Sequence, residues 1–253
     1  MRKALMFLMV IALLLGPAVS AMAFEVGVRG YYWFANINGD ISVDGNNVYG
    51  TNLNLEDNLG MDQDSYPVIE VFGGLGKHHL SLARYSVNYE GSRVLTGNIA
   101  FNGLTFNTGT SINTSLDYDV YDFMYRIDLL DLENILAGGS LGIVARVEVF
   151  DGSAEVKSAL ASTSQDFTVP IPMVGLNCHV GILADILEAR VLVTGIGYSG
   201  STVFDSQADI SFTPFPFLDL HAGYRIFYID VETDDVKLNY NTAGPYVALT
   251  VSF

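Results

Sequence analysis

Apolar and polar residues alternate along most of the chain, in segments that end at Gly, Pro, Asn or Asp. Such alternation is typical of β-strands with two chemically different faces. Consecutive strands joined by turns predict an antiparallel, up-and-down sheet. Ten segments show the pattern, namely 24–36, 66–76, 79–101, 104–129, 139–157, 167–183, 187–201, 206–213, 219–231 and 238–253.

The connections between these segments differ in length. Those after the second, fourth, sixth and eighth strands are short, whereas 37–65 is long and polar. Asn102-Gly103 is a strong type I′ hairpin signal, in a hairpin far longer than a membrane strand needs. We therefore expect a ribbon that extends beyond the membrane. Pro170 and Pro172 would cost hydrogen bonds in a central strand, so a rim position or a local distortion is expected there.

The first 23 residues have the pattern of a secretory signal. Arg2 and Lys3 precede an apolar run from Ala4 to Leu15, and Ala21-Met22-Ala23 is a typical cleavage site. Residues 1–23 are therefore predicted to be a signal peptide and 24–253 the mature domain. The alternative is a retained N-terminal anchor.

The end of the chain alternates strictly between apolar and small or polar residues. Its apolar positions are Val247, Leu249, Val251 and Phe253. Together with the signal, the alternation and Phe-Asn-Gly in the long hairpin, this ending resembles the small outer-membrane β-barrels of Gram-negative bacteria, in particular porin-like members. The resemblance implies an all-β, antiparallel up-and-down transmembrane β-barrel of about ten strands.

The same resemblance implies a location and partners. It implies the outer membrane of a Gram-negative bacterium, contact with outer-membrane lipids and lipopolysaccharide, and a closing strand whose terminal Phe253 is read by the barrel-assembly machinery. Small barrels of this kind include passive pores, structural anchors, adhesins and a few enzymes, so the resemblance is specific for architecture alone.

Charged residues fall on the face opposite the apolar one in each predicted membrane strand. An arginine facing lipid near mid-bilayer costs about 2–4 kcal/mol, whereas charges in a lumen can pair and hydrate. A soluble β-sandwich, whose polar face meets water, is the alternative. The predicted lumen network comprises Arg29, Glu70, Arg84, Asp122, Arg126, Arg146, Glu148, Glu188, Arg190 and Arg225.

Composition narrows the classes of function. Half of the residues are hydrophobic, 16% are charged and the formal net charge is −16. An acidic chain of this kind argues against nucleic acid as a partner. Cys178 is the one cysteine and cannot form an internal disulfide.

Histidine offers little catalytic chemistry. His78 and His79 lie at a predicted turn, while His179 and His221 point inward near the turn ends of their strands. Asn177 and His179 have no Ser at matching spacing. Hydrogen bonding in the lumen is favoured over catalysis for both inward residues. We assign no catalytic residue, cofactor or metal site from the sequence.

The first long loop is acidic, and two interpretations stay open. It is either a solvated, repulsive loop or a loose site for Ca²⁺ or Mg²⁺, although its spacing fits no EF-hand. The acidic residues are Asp40, Asp44, Glu56, Asp57, Asp62 and Asp64.

The lumen is expected to be either a plugged ion-pair network or a narrow hydrated channel. The leading functional hypothesis is a non-catalytic, narrow porin-like channel or structural membrane protein. The alternatives are an outer-membrane enzyme acting on lipid or peptide, and an extracellular binding or adhesion module.

Overall fold

The computed structural model describes residues 24–45, 48–61, 64–131, 138–183, 186–232 and 236–253, and the predicted signal sequence lies outside them. No helix in these ranges is long and apolar enough to cross a membrane. The described ranges contain strands β1 (Phe24–Val43), β2 (Leu53–Asn54), β3 (Asp64–Leu75), β4 (His78–Val94), β5 (Ile99–Phe101), β6 (Leu104–Phe106), β7 (Ser111–Asp131), β8 (Gly139–Ser158), β9 (Ser162–Leu183), β10 (Leu187–Tyr198), β11 (Ser201–Phe215), β12 (Leu218–Glu232) and β13 (Val236–Ser252).

Ten of these strands form a closed antiparallel barrel, which confirms the predicted fold class. The order is β1-β3-β4-β7-β8-β9-β10-β11-β12-β13, and β13 pairs back to β1. At the chain-terminal end of this seam, the backbone N–H groups of Val26 and Phe253 each donate to the carbonyl of the other residue, at 3.0 and 2.9 Å. β2 adds to β1, and β5 and β6 form a separate hairpin.

The barrel has two ends, defined by its connections. The turn end carries the tight turns at 76–77 and 216–217 and the start of β1. The loop end carries the long segments 44–61 and 95–110. Asn102 and Gly103 both have positive φ, 45° and 78°, as the predicted type I′ turn requires.

Outward side chains near the turn end are apolar on every barrel strand. Period-2 alternation places them there, because successive side chains of a strand point to opposite faces. We call this surface the apolar belt. It includes Phe24, Val26, Val28, Tyr32 and Phe34 on β1, Ile69 and Val71 on β3, Leu80 and Leu82 on β4, Tyr121 and Phe123 on β7, Ile143 on β8, Val174, Leu176 and Val180 on β9, Val191 on β10, Ile210 and Phe212 on β11, Leu220, Tyr224 and Ile226 on β12, and Val247, Leu249 and Val251 on β13.

Toward the loop end the inner face of the barrel is the apolar one and the outer face is polar. On β7 the inward residues Tyr118 and Val120 are buried, whereas Asp117 and Asp119 lie on the outward face. This part of the barrel has an apolar core and a polar surface, as a soluble β-barrel does.

The exchange corrects one predicted face. On β4, Tyr85 and Val87 are buried in the lumen and Arg84 points outward, with its side chain 60% exposed. Arg84 is therefore not part of the lumen network, contrary to the sequence prediction. The apolar residues of β4 lie outward below Arg84 and inward above it.

The predicted ribbon does not extend freely beyond the barrel. Its residues 95–110 fold over the loop end together with segment 48–61, and we call these two segments the cap. Apolar side chains of the cap are buried against the upper lumen, namely Leu53, Leu55, Leu59, Met61, Leu95, Ile99, Phe101 and Phe106. The ribbon folds back because it carries these apolar residues.

Asn102, at the tip of the β5–β6 hairpin, spans the mouth of the barrel. Its backbone N–H donates to the carbonyl of Val43 on β1, at 3.1 Å. Its side-chain amide donates to Thr163 and to the Ser164 carbonyl on β9, at 3.2 and 3.1 Å. β1 and β9 lie five strands apart in a ring of ten, so one residue links opposite walls.

Pro170 and Pro172 mark the local irregularity expected from the sequence. Both pair with β8, opposite Val149 and Val147. The pairing of β9 with β10, however, stops at Val174 and Gly195, although both strands continue beyond it. Since proline has no backbone N–H to donate, the ladder ends at the point where the prolines begin.

Candidate functional site: a charged network across the lumen

Two arginines and three carboxylates fill the middle of the lumen. Arg146 on β8 makes a bidentate pair with Asp122 on β7, at 2.7 and 3.0 Å. Its guanidinium also donates to Glu148 at 2.7 Å and to Asp205 on β11 at 2.8 Å. We call these groups, with Arg225, the central network.

Arg225 on β12 completes the central network from the opposite wall. It donates to Asp205 at 2.6 and 3.2 Å and to Glu148 at 3.0 Å. Arg146, Glu148, Asp205 and Arg225 are each no more than 2% exposed. With three carboxylates against two guanidiniums, the formal charge of the network is −1 if all are ionised.

Aromatic side chains surround Arg225. Its guanidinium lies over the ring of Trp33, 4.6 Å from the centroid, and donates to the hydroxyl of Tyr31 at 3.1 Å. The Tyr85 hydroxyl lies at 3.5 Å. Cation–π contact and hydrogen bonding together compensate for the desolvation of a buried guanidinium. The central network therefore reaches from β12 to β1 and β4 and crosses the whole lumen.

Below the central network the lumen widens into a cavity of about 340 Å³, lined by residues of the turn end. Several of its ion pairs are longer than those of the network. Arg29 lies 4.0 Å from Glu70 and 3.3 Å from Asp209, and Arg190 lies 3.8 Å from Glu188. The structure thus distributes nine of the ten predicted network residues over two levels, and Arg84 lies outside the lumen.

Arg126 also lines this cavity, and its carboxylate partner lies outside the predicted network. Its Nε is 3.0 Å from Asp128, and a terminal nitrogen donates to Asn177 at 3.2 Å. Asp122, which is in the predicted network, binds Arg146 at the level of the central network.

Two histidines, His79 and His179, line the cavity, and His221 is buried beside it. Each of the three has a polar partner. His221 is buried between Asp209 at 3.0 Å and Thr250 at 2.9 Å. His79 lies 2.9 Å from Asp128. The fourth histidine, His78, is at the rim, 2.6 Å from the Tyr125 hydroxyl.

His179 has a serine neighbour, which corrects the sequence interpretation. Its Nδ1 lies 2.8 Å from the Oγ of Ser140. Ser140 lies on β8, 39 residues earlier in the chain, so no local spacing could reveal the pair.

Sequence reasoning missed several residues that build the site. Asp205 fell between two predicted strands, because β11 begins at Ser201 and not at residue 206. Tyr31 and Tyr85 gave no signal of their own, since an inward tyrosine looks the same in sequence as a lipid-facing one. A longer predicted strand would have placed Asp205 on the same face as Asp209, four residues later, and this is the one signal that the sequence contains for it.

Two of the acidic residues of the first long loop accept hydrogen bonds from neighbouring residues. Asp44 accepts a hydrogen bond from the Gly50 amide at 2.7 Å, and Asp40 accepts one from Asn54 at 3.3 Å. Asp62 lies outside the described residues. Within the described ranges, the structure gathers no group of three or more metal-ligating side chains, and cation binding here stays a prediction.

No protein-family model and no curated protein matches the chain. Solved structures do match its fold. The outer-membrane protease OmpT from Escherichia coli superposes with a TM-score of 0.61 at 8% identity, over 93% of this chain and 100% of that chain. The translocator domain of the autotransporter NalP from Neisseria meningitidis gives 0.42 at 11% identity, over 100% and 96%. The attachment invasion locus protein Ail of Yersinia pestis gives 0.38 at 12% identity, over 92% and 100%.

At these identities the likeness to OmpT shows a shared fold and nothing about activity. The chain has the fold of the Gram-negative outer-membrane β-barrels.

Proposed function

We propose that the protein is an outer-membrane β-barrel, non-catalytic, whose lumen is closed at rest. The apolar belt supports the membrane location. On β1 it runs from Phe24 to Phe34, and a transmembrane strand needs about 9–11 residues. Exposing so large an apolar surface to water would be costly, whereas lipid accepts it.

The central network is the main observation in support of a closed lumen. Its four fully buried charged groups join opposite walls and occupy the lumen at that level. The cap adds a second barrier at the loop end, with Asn102 linked to both walls. Of the two alternatives for the lumen, the plugged one is favoured, and a porin-like activity requires both barriers to open.

Conductance in planar bilayers tests this proposal. One variant replaces Arg146, Glu148, Asp205 and Arg225 by Ser, a change that removes two charges of each sign. A second replaces residues 96–109 by a short linker, and a third combines both changes. We expect little conductance from the native protein or from either single barrier variant, and clear conductance from the combination.

A charge-neutral control is Arg126→Ser with Asp128→Ser. This pair lines the open cavity and lies below the central network, so it should leave conductance unchanged. A native protein that conducts as well as the combined variant would disprove the closed state.

An enzyme acting on lipid or peptide is the second candidate, and one observation favours it. Ser140 and His179 are within hydrogen-bond distance beside a cavity, as a nucleophile and its base are. A serine-reactive fluorophosphonate probe tests this. Labelling of Ser140 that is lost in His179→Ala, in a barrel that stays folded, would support the enzyme over the closed, non-catalytic barrel.

A further inference from the structure

The cavity below the central network is accessible from the turn end of the barrel. Glu25, near the start of β1, lines it and is exposed. Arg126 and Arg190 also line it, and their side chains are 24% and 29% exposed. Since four charged groups of the central network above them are at most 2% exposed, this access comes from the turn end. In an outer-membrane barrel the end with short turns faces the periplasm, so a periplasmic solute can reach the cavity.

Two arginines from different walls meet at one carboxylate in this cavity. Arg29 is on β1 and Arg190 is on β10, and their guanidiniums lie 3.3 and 4.0 Å from the carboxylate of Asp209. Asp209 also accepts a hydrogen bond from the Tyr246 hydroxyl at 2.7 Å and lies 3.0 Å from Nδ1 of His221. One carboxylate is therefore shared among four groups, and it cannot saturate the donors of both arginines.

Two further carboxylates lie beyond hydrogen-bond distance of these arginines. Arg29 is 4.0 Å from Glu70, and Arg190 is 3.8 Å from Glu188. A guanidinium carries five N–H donors in a planar fork that matches a carboxylate. The two arginines therefore have the capacity to bind one more carboxylate in the cavity.

Three carboxylates lie nearer the mouth of the cavity than these arginines. β1 and β10 both begin at the turn end, and Glu25 precedes Arg29 by four residues while Glu188 precedes Arg190 by two. Asp219 is the second residue of β12, directly after a tight turn of the same end. All three carboxylates line the cavity. Guanidinium donors thus lie deep in the cavity, and carboxylates lie at its mouth.

The spacing of these two levels indicates the length of a ligand. Two residues of a strand span about 7 Å, which separates Arg190 from Glu188. Two residues of an extended peptide span about the same distance. The cavity volume of about 340 Å³ lies within the range of small-molecule sites, roughly 300–1,000 Å³. A dipeptide therefore matches the cavity in both length and size.

We propose that this cavity binds a short zwitterionic peptide, of about two residues, from the periplasm. The peptide carboxylate accepts hydrogen bonds from Arg29 and Arg190. Its ammonium group lies among Glu25, Glu188 and Asp219. The proposal names the class of solute for the closed channel proposed above, and it rests on that function for its periplasmic location.

Isothermal titration calorimetry of the full barrel in detergent tests the site with three probes. Alanyl-alanine carries both charges, its N-acetyl form lacks the ammonium, and its C-terminal amide lacks the carboxylate. We expect alanyl-alanine to bind, and each blocked form to bind at least about tenfold more weakly, as the loss of a hydrogen bond to a charged group does. This comparison uses the native protein, so it does not depend on the folding of a variant.

Two substitutions separate the two halves of the site. Arg190→Gln should weaken binding of alanyl-alanine about tenfold and should not weaken binding of the C-terminal amide. Glu188→Gln should also weaken binding of alanyl-alanine, but it should not weaken binding of the N-acetyl form. Lys157→Gln and Glu90→Gln are the matched controls, since both residues are exposed outside the cavity and should change nothing.

The outcomes separate this site from the closed channel. Equal binding of all three probes, or binding of none, overturns the site alone, because conductance tests the closed state independently. Preferred binding of the C-terminal amide would indicate a cation site and preferred binding of the N-acetyl form an anion site, and either result overturns the zwitterionic assignment. A native protein that conducts as well as the variant without both barriers overturns the closed channel, while peptide binding measured in detergent stands.

Discussion

Buried charges in the lumen are stable because each has several partners from different strands. Glu148 Oε1 accepts hydrogen bonds from both arginines of the central network, and Asp205 does the same. A buried ion pair contributes little net stability when it is complete, yet removing one partner leaves an uncompensated charge in a dry environment. The cost of a substitution should therefore depend on burial more than on charge.

Arg225→Met tests this dependence. It leaves Asp205 and Glu148 buried with Arg146 as their remaining cation, so we expect a loss of about 3–5 kcal/mol in the free energy of unfolding. Arg190→Met removes a cation whose side chain is 29% exposed and whose nearest carboxylate is 3.8 Å away. It should cost less than about 1 kcal/mol. Urea unfolding of the folded barrel in detergent measures both, and equal losses would contradict the argument.

At the scale of the strand, register determines which residues point outward. Val191 on β10 is outward and 44% exposed, whereas its neighbour Leu192 lines the cavity. A shift of one residue would exchange these positions and every other one on the strand.

Val191→Arg and Leu192→Arg form a matched pair for this register. The first places a charge in lipid and should cost about 2–4 kcal/mol near the midplane. The second places the same charge in the cavity that Glu188 and Asp209 also line, and it should be milder. Unfolding in lipid vesicles measures both, and a larger loss for Leu192→Arg would mean that β10 is in the other register.

Strand existence and most strand faces could be predicted from the sequence, because in the apolar belt one face is apolar and the other polar. The face of β4 could not. Tyr85, Val87 and Tyr89 resemble lipid-facing residues, but they lie above the belt, where the apolar face is the inner one. Alternation reports two faces and does not say which one is inside. The level at which the apolar belt ends decides that, and the sequence does not mark this level.

The candidate site was predictable in part for the same reason. Arg146 and Arg225 alternate with apolar neighbours on the outer face, so their inward direction followed from the pattern. Their partners did not, since Asp205 comes from a strand 59 residues away from Arg146. The sequence also did not predict that the cap folds back over the lumen, because the burial of Phe101 depends on contacts with segments distant in sequence.

Closure of the barrel depends on one seam, where β13 pairs with β1. The register there runs evenly from Gly27 and Ser252 to Trp33 and Tyr246, and resumes at Asn36 and Ala243. Within the gap, the indole N–H of Trp33 donates to the carbonyl of Gly244 at 3.2 Å. The two backbones come close together here, so a residue without a side chain is needed at this point.

Two glycines at this seam give a matched test of closure. A Cβ at Gly244 would lie 1.7 Å from the Phe34 carbonyl oxygen, whereas a Cβ at Gly30 would have no atom within 4 Å. Gly244→Ala should force the seam apart and cost about 1–3 kcal/mol, as overpacking against backbone does. Gly30→Ala should be neutral or slightly stabilising, by up to about 1 kcal/mol, because alanine loses less chain entropy in a strand. Gel mobility of unboiled samples over a temperature series measures the folded fraction. If Gly30→Ala lost the folded band at the lower temperature, closure would not depend on the close approach at Gly244.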